Sequence, residues 1–145
     1  MMRRILIFFN GTDLSIKALN HALAFSDKGD TINVMYIVDE VTYDNIKKGI
    51  KSIGGGEHEL HRALMEFEHR FRKQLSIFMQ HCRERAIEVH TKFKVGNVEN
   101  EVVKEITENK YDLIIIPYSA IYKGKIIPIL SRILSSYEGN VLIVK

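Results

Sequence analysis

The residues best placed to do chemistry stand at two turns. The first is Asn10-Gly11-Thr12-Asp13-Leu14-Ser15, directly after the apolar run Ile5–Phe9. An asparagine-glycine-threonine step makes a turn, and Thr12 or Asp13 can cap a following helix. A junction of strand, turn and helix is where parallel α/β sheets bind ligands. The second is the segment 117–128, which follows the apolar run ending at Ile116 and holds Ser119, Lys123 and Lys125. Its lysines can meet phosphate oxygens as point charges, and Ser119 and Ser131 offer hydroxyls.

Other constellations are incomplete. His58, Glu59 and His61 approach the zinc-protease pattern, but that pattern needs histidines four residues apart, and position 62 is Arg62. His58, His61 and His69 can share one side of a helix; read as a solvated face, they predict no metal site. In Gly11-Thr12-Asp13-Leu14-Ser15, Leu14 interrupts the aspartate-serine step that a pyrophosphate loop requires. A flavodoxin-like phosphate loop would be rich in serine and threonine after the first strand, and only Thr12 is so placed. No catalytic motif is complete, so no catalytic residue is expected.

The elements that must hold these turns follow from periodicity. After Ile5–Phe9, a strand buried on both faces, the residues Ile16, Leu19, Ala22 and Leu23 repeat at helical spacing. Thr31–Val38 is a second strand. Segment 39–56 ends in Gly54-Gly55-Gly56 and is expected to be a long irregular loop. From Glu57 to about Arg85 one long helix is expected, with Leu60, Leu64, Phe67, Phe71, Leu75, Phe78 and Cys82 on one stripe, the last a buried, inert thiol. Ile87–Val95 alternates, which marks a half-exposed strand near a sheet edge. Asn97 caps a helix to Asn109 with Val98, Val102, Val103 and Ile106 inward. Asp112–Ile116 is a buried strand, 117–128 a second long loop, and Ile129–Tyr137 a short helix with Ile129, Ile133 and Leu134 inward. Val141–Val144 is the last strand. Strands alternating with helices imply a parallel sheet covered on both faces.

The bulk composition narrows the class. With 145 residues, 46% hydrophobic and 27% charged, the chain is expected to form a single domain over 1–145. The net charge of +3 is mild. Arg70, Arg72, Lys73, Arg83 and Arg85 interleave with Glu66, Glu68 and Glu84, which predicts a solvated face and no nucleic-acid partner. Cys82 is the single cysteine, so no intrachain disulfide can form, as is usual in a reducing compartment. The apolar run behind Arg3-Arg4 is too short for a signal-peptide core, and none approaches the ~18 residues of a membrane span. A cytoplasmic protein without a membrane partner is expected.

These pieces together resemble the universal stress protein family over nearly the whole chain. The matching stretches are ILIFFNGTDLSIKAL, INVMYIVDE, KFKVGNVENEVVKEITENKYDLIII with its Asp112, and LSRILSSYEGNVLIVK. The resemblance implies a five-stranded parallel sheet of order 3-2-1-4-5 with helices on both faces, related to the adenine nucleotide α-hydrolase-like and Rossmann-like folds, and a homodimer. Many members bind ATP or AMP at three places. These are an aspartate-glycine-serine turn after the first strand, a backbone contact at the end of the second, and a loop reading glycine, two residues, glycine, nine residues, glycine, serine or threonine. Here the corresponding residues are Asn10-Gly11-Thr12, Val38, and the loop beginning at Pro117. Pro117 and Ala120 stand where the loop's first two glycines belong, and Ile127-Pro128 near the place of its glycine-serine pair. Glycine lets backbone approach phosphate oxygens, and proline removes an N–H donor.

A divergent member without a conventional ATP cradle is therefore expected, in an accessory or interaction role in stress response. The alternative is an ATP- or AMP-binding sensor or slow ATPase using Asn10, Gly11, Thr12, Val38, Pro117, Ser119, Lys123 and Lys125. Val141, Leu142, Ile143 and Val144 form an uncovered apolar edge, and edges of that kind invite pairing. They are expected to join a second copy of the chain; other protein partners are open.

Overall fold

The computed structural model describes residues 2–118 and 126–145. In chain order the elements are β1 (Arg4–Phe8), α1 (Asp13–Phe25), β2 (Thr31–Asp39), α2 (Glu40–Ser52), α3 (Glu57–Gln74), α4 (Ser76–Glu84), β3 (Glu88–Gly96), α5 (Val98–Glu108), β4 (Leu113–Pro117), α6 (Ile126–Ser136) and β5 (Asn140–Val144). The strands form one sheet of order β3-β2-β1-β4-β5. Every pairing in it is parallel, with Ile7 of β1 opposite both Val34 of β2 and Ile115 of β4. The expected fold class and strand order are thus observed.

Strand alternation sorts the core into two layers. Ile5, Ile7 and Phe9 point into one, where Leu19, Phe71, Leu75, Phe78 and Cys82 of α1, α3 and α4 cover them. Leu6 and Phe8 point into the other, beneath Val102 and Ile106 of α5 and Ile133 of α6. All five residues from Ile5 to Phe9 are buried, as their unbroken apolar run requires.

Several sequence expectations change. Segment 39–56 is not irregular: α2 occupies Glu40–Ser52, started by Asp39, whose carboxylate accepts from Thr42 N at 2.7 Å. No residue of α2 is buried. Tyr43, Ile46 and Ile50 make only a half-buried stripe, too thin a signal against Gly49 and three lysines. The expected single helix from Glu57 is two, divided at Leu75, whose N–H is shared between Phe71 O (3.3 Å) and Arg72 O (3.2 Å). Its stripe is buried from Phe71 onward, whereas Leu60, Leu64 and Phe67 are half-buried. On α1 the inward residues are Ser15, Ala18, Leu19 and Ala22, and Ile16 is 39% exposed. Leu134, expected inward on α6, is 68% exposed. The second loop ends earlier than expected, because Ile127 and Pro128 belong to the first turn of α6. Proline costs no hydrogen bond there, since the first four N–H groups of a helix have no intrahelical acceptor.

Two polar nodes pin the sheet. Asp30, with a fully buried side chain, accepts from Arg3 N (2.9 Å), Arg3 Nε (3.2 Å), Arg3 Nη2 (3.0 Å) and Asp27 N (2.8 Å). Burial alone would raise its pKa, but these hydrogen bonds and the Arg3 charge outweigh it and hold the carboxyl below its usual value. On the other face, buried Glu105 accepts from Lys92 Nζ (2.6 Å), Asn109 Nδ2 (3.0 Å) and the Tyr111 hydroxyl. Burial first, then the bond to Glu105, pushes the Tyr111 phenol up.

Candidate functional site

In a doubly wound sheet the ligand crevice lies at the carboxyl ends of the strands, where the strand order reverses. Here that point lies between β1 and β4. The turn after β1 is closed by its own side chains. Asn10 Oδ1 accepts from Thr12 N (3.1 Å), Thr12 Oγ1 (2.5 Å) and Ser15 Oγ, while Asn10 N donates to Ser15 Oγ (3.0 Å). Thr12 caps α1 through Ser15 N at 3.3 Å. Gly11 takes φ +81°, a left-handed conformation that glycine adopts without strain. A Cβ there would stand 3.0 Å from Gln74 Oε1, so α3 lies directly against the turn.

The remaining residues expected at the site are distributed around this turn. Val38 is buried near the end of β2, in register with Val95 of β3. Pro117 is the last residue of β4 and is buried, facing Val144 of β5 in register. Ser119, Lys123 and Lys125 lie outside the described residues, as does Ala120. Asp112, at the other end of β4, accepts from Arg4 N at 2.8 Å and so fixes β4 against β1.

On the α5 and α6 side, a cleft of about 300 Å³ opens among Asp39, Glu40, Asn97, Glu99 and Pro128. The starts of α2, α5 and α6 converge on it. Helix starts attract anions through free N–H groups and the helix dipole. Two of these starts carry caps of their own: Asp39 binds Thr42 N, and Asn97 binds Asn100 N at 2.9 Å. Asp39, Glu40 and Glu99 bring three carboxylates to the lining, which contains no lysine or arginine among its described residues. Glu99 pairs with Arg132 Nη1 at 3.3 Å. The described lining is therefore acidic, with Arg132 beside it as the partner of Glu99.

On the opposite face of the sheet, a second pocket of about 160 Å³ lies beside Asn10 and Gly11, walled by Tyr36, Phe67, Arg70, Phe71 and Gln74. Tyr36 is held between rings, 5.3 Å from Phe71 and 5.7 Å from Phe93. Burial raises the Tyr36 phenol, with Arg70 pulling it down and Asp39 pushing it up. Arg70 is exposed, as expected of a solvated face, and it also borders this pocket. Its signal in the sequence is the pair Arg70 and Gln74, four residues apart and each adjacent to a residue of the buried stripe.

The histidines on α3 stand apart from both pockets. His58 Nε2 lies 3.2 Å from Arg62 Nη2, and the described residues contain no group of three metal-ligating side chains. Cys82 is buried in the core and burial pushes its thiol up to about 11. Among the described residues no helix is long and apolar enough to cross a membrane.

Comparison with known proteins places this geometry. The model of the universal stress protein family matches residues 1–145. No curated protein matches the chain in sequence. Among solved structures, the hypothetical protein MJ0577 superposes with a TM-score of 0.72 at 18% identity, over 99% of this chain and 95% of that one. The universal stress protein UspA of Lactobacillus plantarum gives 0.69 at 13% identity, over 99% and 97%. A universal stress protein family member of Arabidopsis thaliana, solved with AMP bound, gives 0.61 at 11% identity, over 99% and 91%. At these identities the likeness is one of fold.

Proposed function

The chain belongs to the universal stress protein family, and we propose that it is an accessory, partner-binding member that does not bind ATP in the family's conventional way. We take it as one domain over 1–145, cytoplasmic, and working as a homodimer joined along β5. The observation that carries this reading is the acidic cleft. Its described lining presents Asp39, Glu40 and Glu99, and one N–H at each of the starts of α2 and α5 is already taken by Asp39 and Asn97. A triphosphate entering there would meet Asp39, Glu40 and a Glu99 already paired with Arg132. Thermal shift tests the reading directly. ATP, ADP and AMP at millimolar concentration are expected to raise the melting temperature no further than inorganic phosphate does. A nucleotide carried through purification, or a larger shift from any of the three, would overturn it.

A second reading is a divergent AMP- or ATP-binding sensor or slow ATPase. It is favoured by the turn Asn10-Gly11-Thr12, which keeps its left-handed glycine at the switch point, and by the AMP found in the similar Arabidopsis structure. Phosphate release from ATP with magnesium distinguishes a slow ATPase from a sensor.

A further inference from the structure

The smaller pocket beside Gly11 collects hydrogen-bond donors. The Arg70 guanidinium makes no ion pair or hydrogen bond among the described residues; it lies over the Phe67 ring, 5.0 Å from the centroid. The Tyr36 hydroxyl and the Gln74 amide also make no hydrogen bond there. At Asn10 the orientation follows from its neighbours. Thr12 N–H can only donate, so the atom it meets is the carbonyl oxygen, and the amide NH₂ of Asn10 makes no hydrogen bond among the described residues. Four polar side chains thus line one cavity, with no carboxylate among its described lining residues.

We propose that this pocket binds a tetrahedral oxyanion, a phosphate that is either free or the head of a phosphate monoester. Arg70 supplies the charge and the planar fork that grips two oxygens at once. Gln74, Tyr36 and Asn10 supply neutral donors for the others. The size suits such a ligand. At ~30 Å³ per water, 160 Å³ holds roughly five waters, which suits four oxygens around one centre. It is smaller than the ~300 Å³ at which pockets for drug-sized ligands begin. Asn10 matters by charge: an aspartate there would keep the three accepted hydrogen bonds and add a negative charge beside the anion. Asp39, the acid felt at Tyr36, is engaged with Thr42 N. The site stands independently of the reading of the acidic cleft, which lies on the other face of the sheet.

The test is an amide and guanidinium NMR titration with sodium phosphate against sodium chloride at constant ionic strength, repeated with AMP. Phosphate is expected to move the Gly11 N–H and Arg70 Nε–H signals with saturation in the millimolar range. Arg70→Met and Asn10→Asp, each checked for an unchanged circular dichroism spectrum, are expected to weaken binding at least tenfold. Arg70→Lys, which keeps the charge without the fork, is expected to retain part of it. If AMP moves the same signals and loses that effect in Arg70→Met, the pocket takes a monoester head; if only inorganic phosphate does, it takes the free anion. Signals that respond to neither, or an Arg70→Met protein that binds phosphate as well as the parent, would overturn the assignment.

Discussion

Ile143→Pro tests the proposed dimer at one atom. Asn140 N donates to Asp112 O at 3.4 Å, and Tyr118 N donates to Val144 O at 2.8 Å. Residues 140 and 144 of β5 thus turn their peptide groups toward β4. Because the strand alternates, Val141 and Ile143 turn theirs to the open edge. Proline at 143 removes an outward N–H and leaves the sheet's own ladder intact, a position where edge strands tolerate it. A twofold axis counts the loss twice, because each copy presents the same edge to the other. Two lost hydrogen bonds, each leaving a partner carbonyl unsatisfied, cost about 1–3 kcal/mol apiece. The pair therefore weakens by about 2–6 kcal/mol, or roughly 30-fold to 10⁴-fold in dissociation constant. Ile143→Lys is a companion variant: the side chain is 39% exposed in the single chain, and across the axis each new charge meets its twin. Sedimentation velocity over a concentration series reads both, with monomer unfolding as the control, expected to change by less than about 1 kcal/mol for the proline variant. If both variants stay within about threefold of the parent constant, β5 is not the joint.

Three further outcomes follow from the core and from the cap of α2. Asp30→Ala strands four donors around a buried carboxylate and should cost about 2–4 kcal/mol at pH 7, with partly exposed Arg3 recovering water; chemical denaturation measures it. Because the folded Asp30 pKa is depressed, that stability is fully present above the unfolded value of about 3.9 and is lost as pH falls through the lower folded value. The gap between Asp30→Ala and parent should therefore close at low pH, and a gap that widens would refute the assignment. Cys82, buried with its thiol raised to about 11, should react with a thiol reagent at pH 8 only at the rate of unfolding; labelling of the native protein within minutes would contradict its place in the core. Asp39→Ala removes the cap of α2 and should lower helix stability by about 1 kcal/mol, read as faster amide exchange in α2 with the core amides unchanged.

The sheet was legible because its strands are unambiguous. Ile5–Phe9 and the run before Pro117 contain no polar residue to suggest another element, and the glycine and asparagine turns divide them cleanly. α2 was hidden because its apolar stripe is only half-buried and its cap, Asp39, also ends a strand. The division at Leu75 left no mark, since Leu75 fits both helices and the break is a shared hydrogen bond rather than a proline or glycine. Ile16 and Leu134 were misplaced for a common reason: each sits one position off the buried face, a rotation that helical spacing alone does not resolve. At the site, the turn Asn10-Gly11-Thr12 could be read locally. The pocket it shares with Arg70 and Gln74 could not, because residues about sixty positions apart meet only once α3 packs on the sheet. The carboxylates of the larger cleft were equally nonlocal, coming from the ends of β2 and the start of α5.

The absence of any buried residue in α2 has a consequence for how the domain opens. Elements held by few apolar contacts unfold locally, well below the free energy of global unfolding. α2 is therefore expected to open before α1 and β1, and hydrogen exchange should find it open while they stay closed. Asp39 is the hinge of that event, since it ends β2, caps α2 and lines the cleft. Each local melting releases its carboxylate from Thr42 and redraws the charge at the cleft mouth. The charge pattern at the cleft is thereby coupled to the folding of α2.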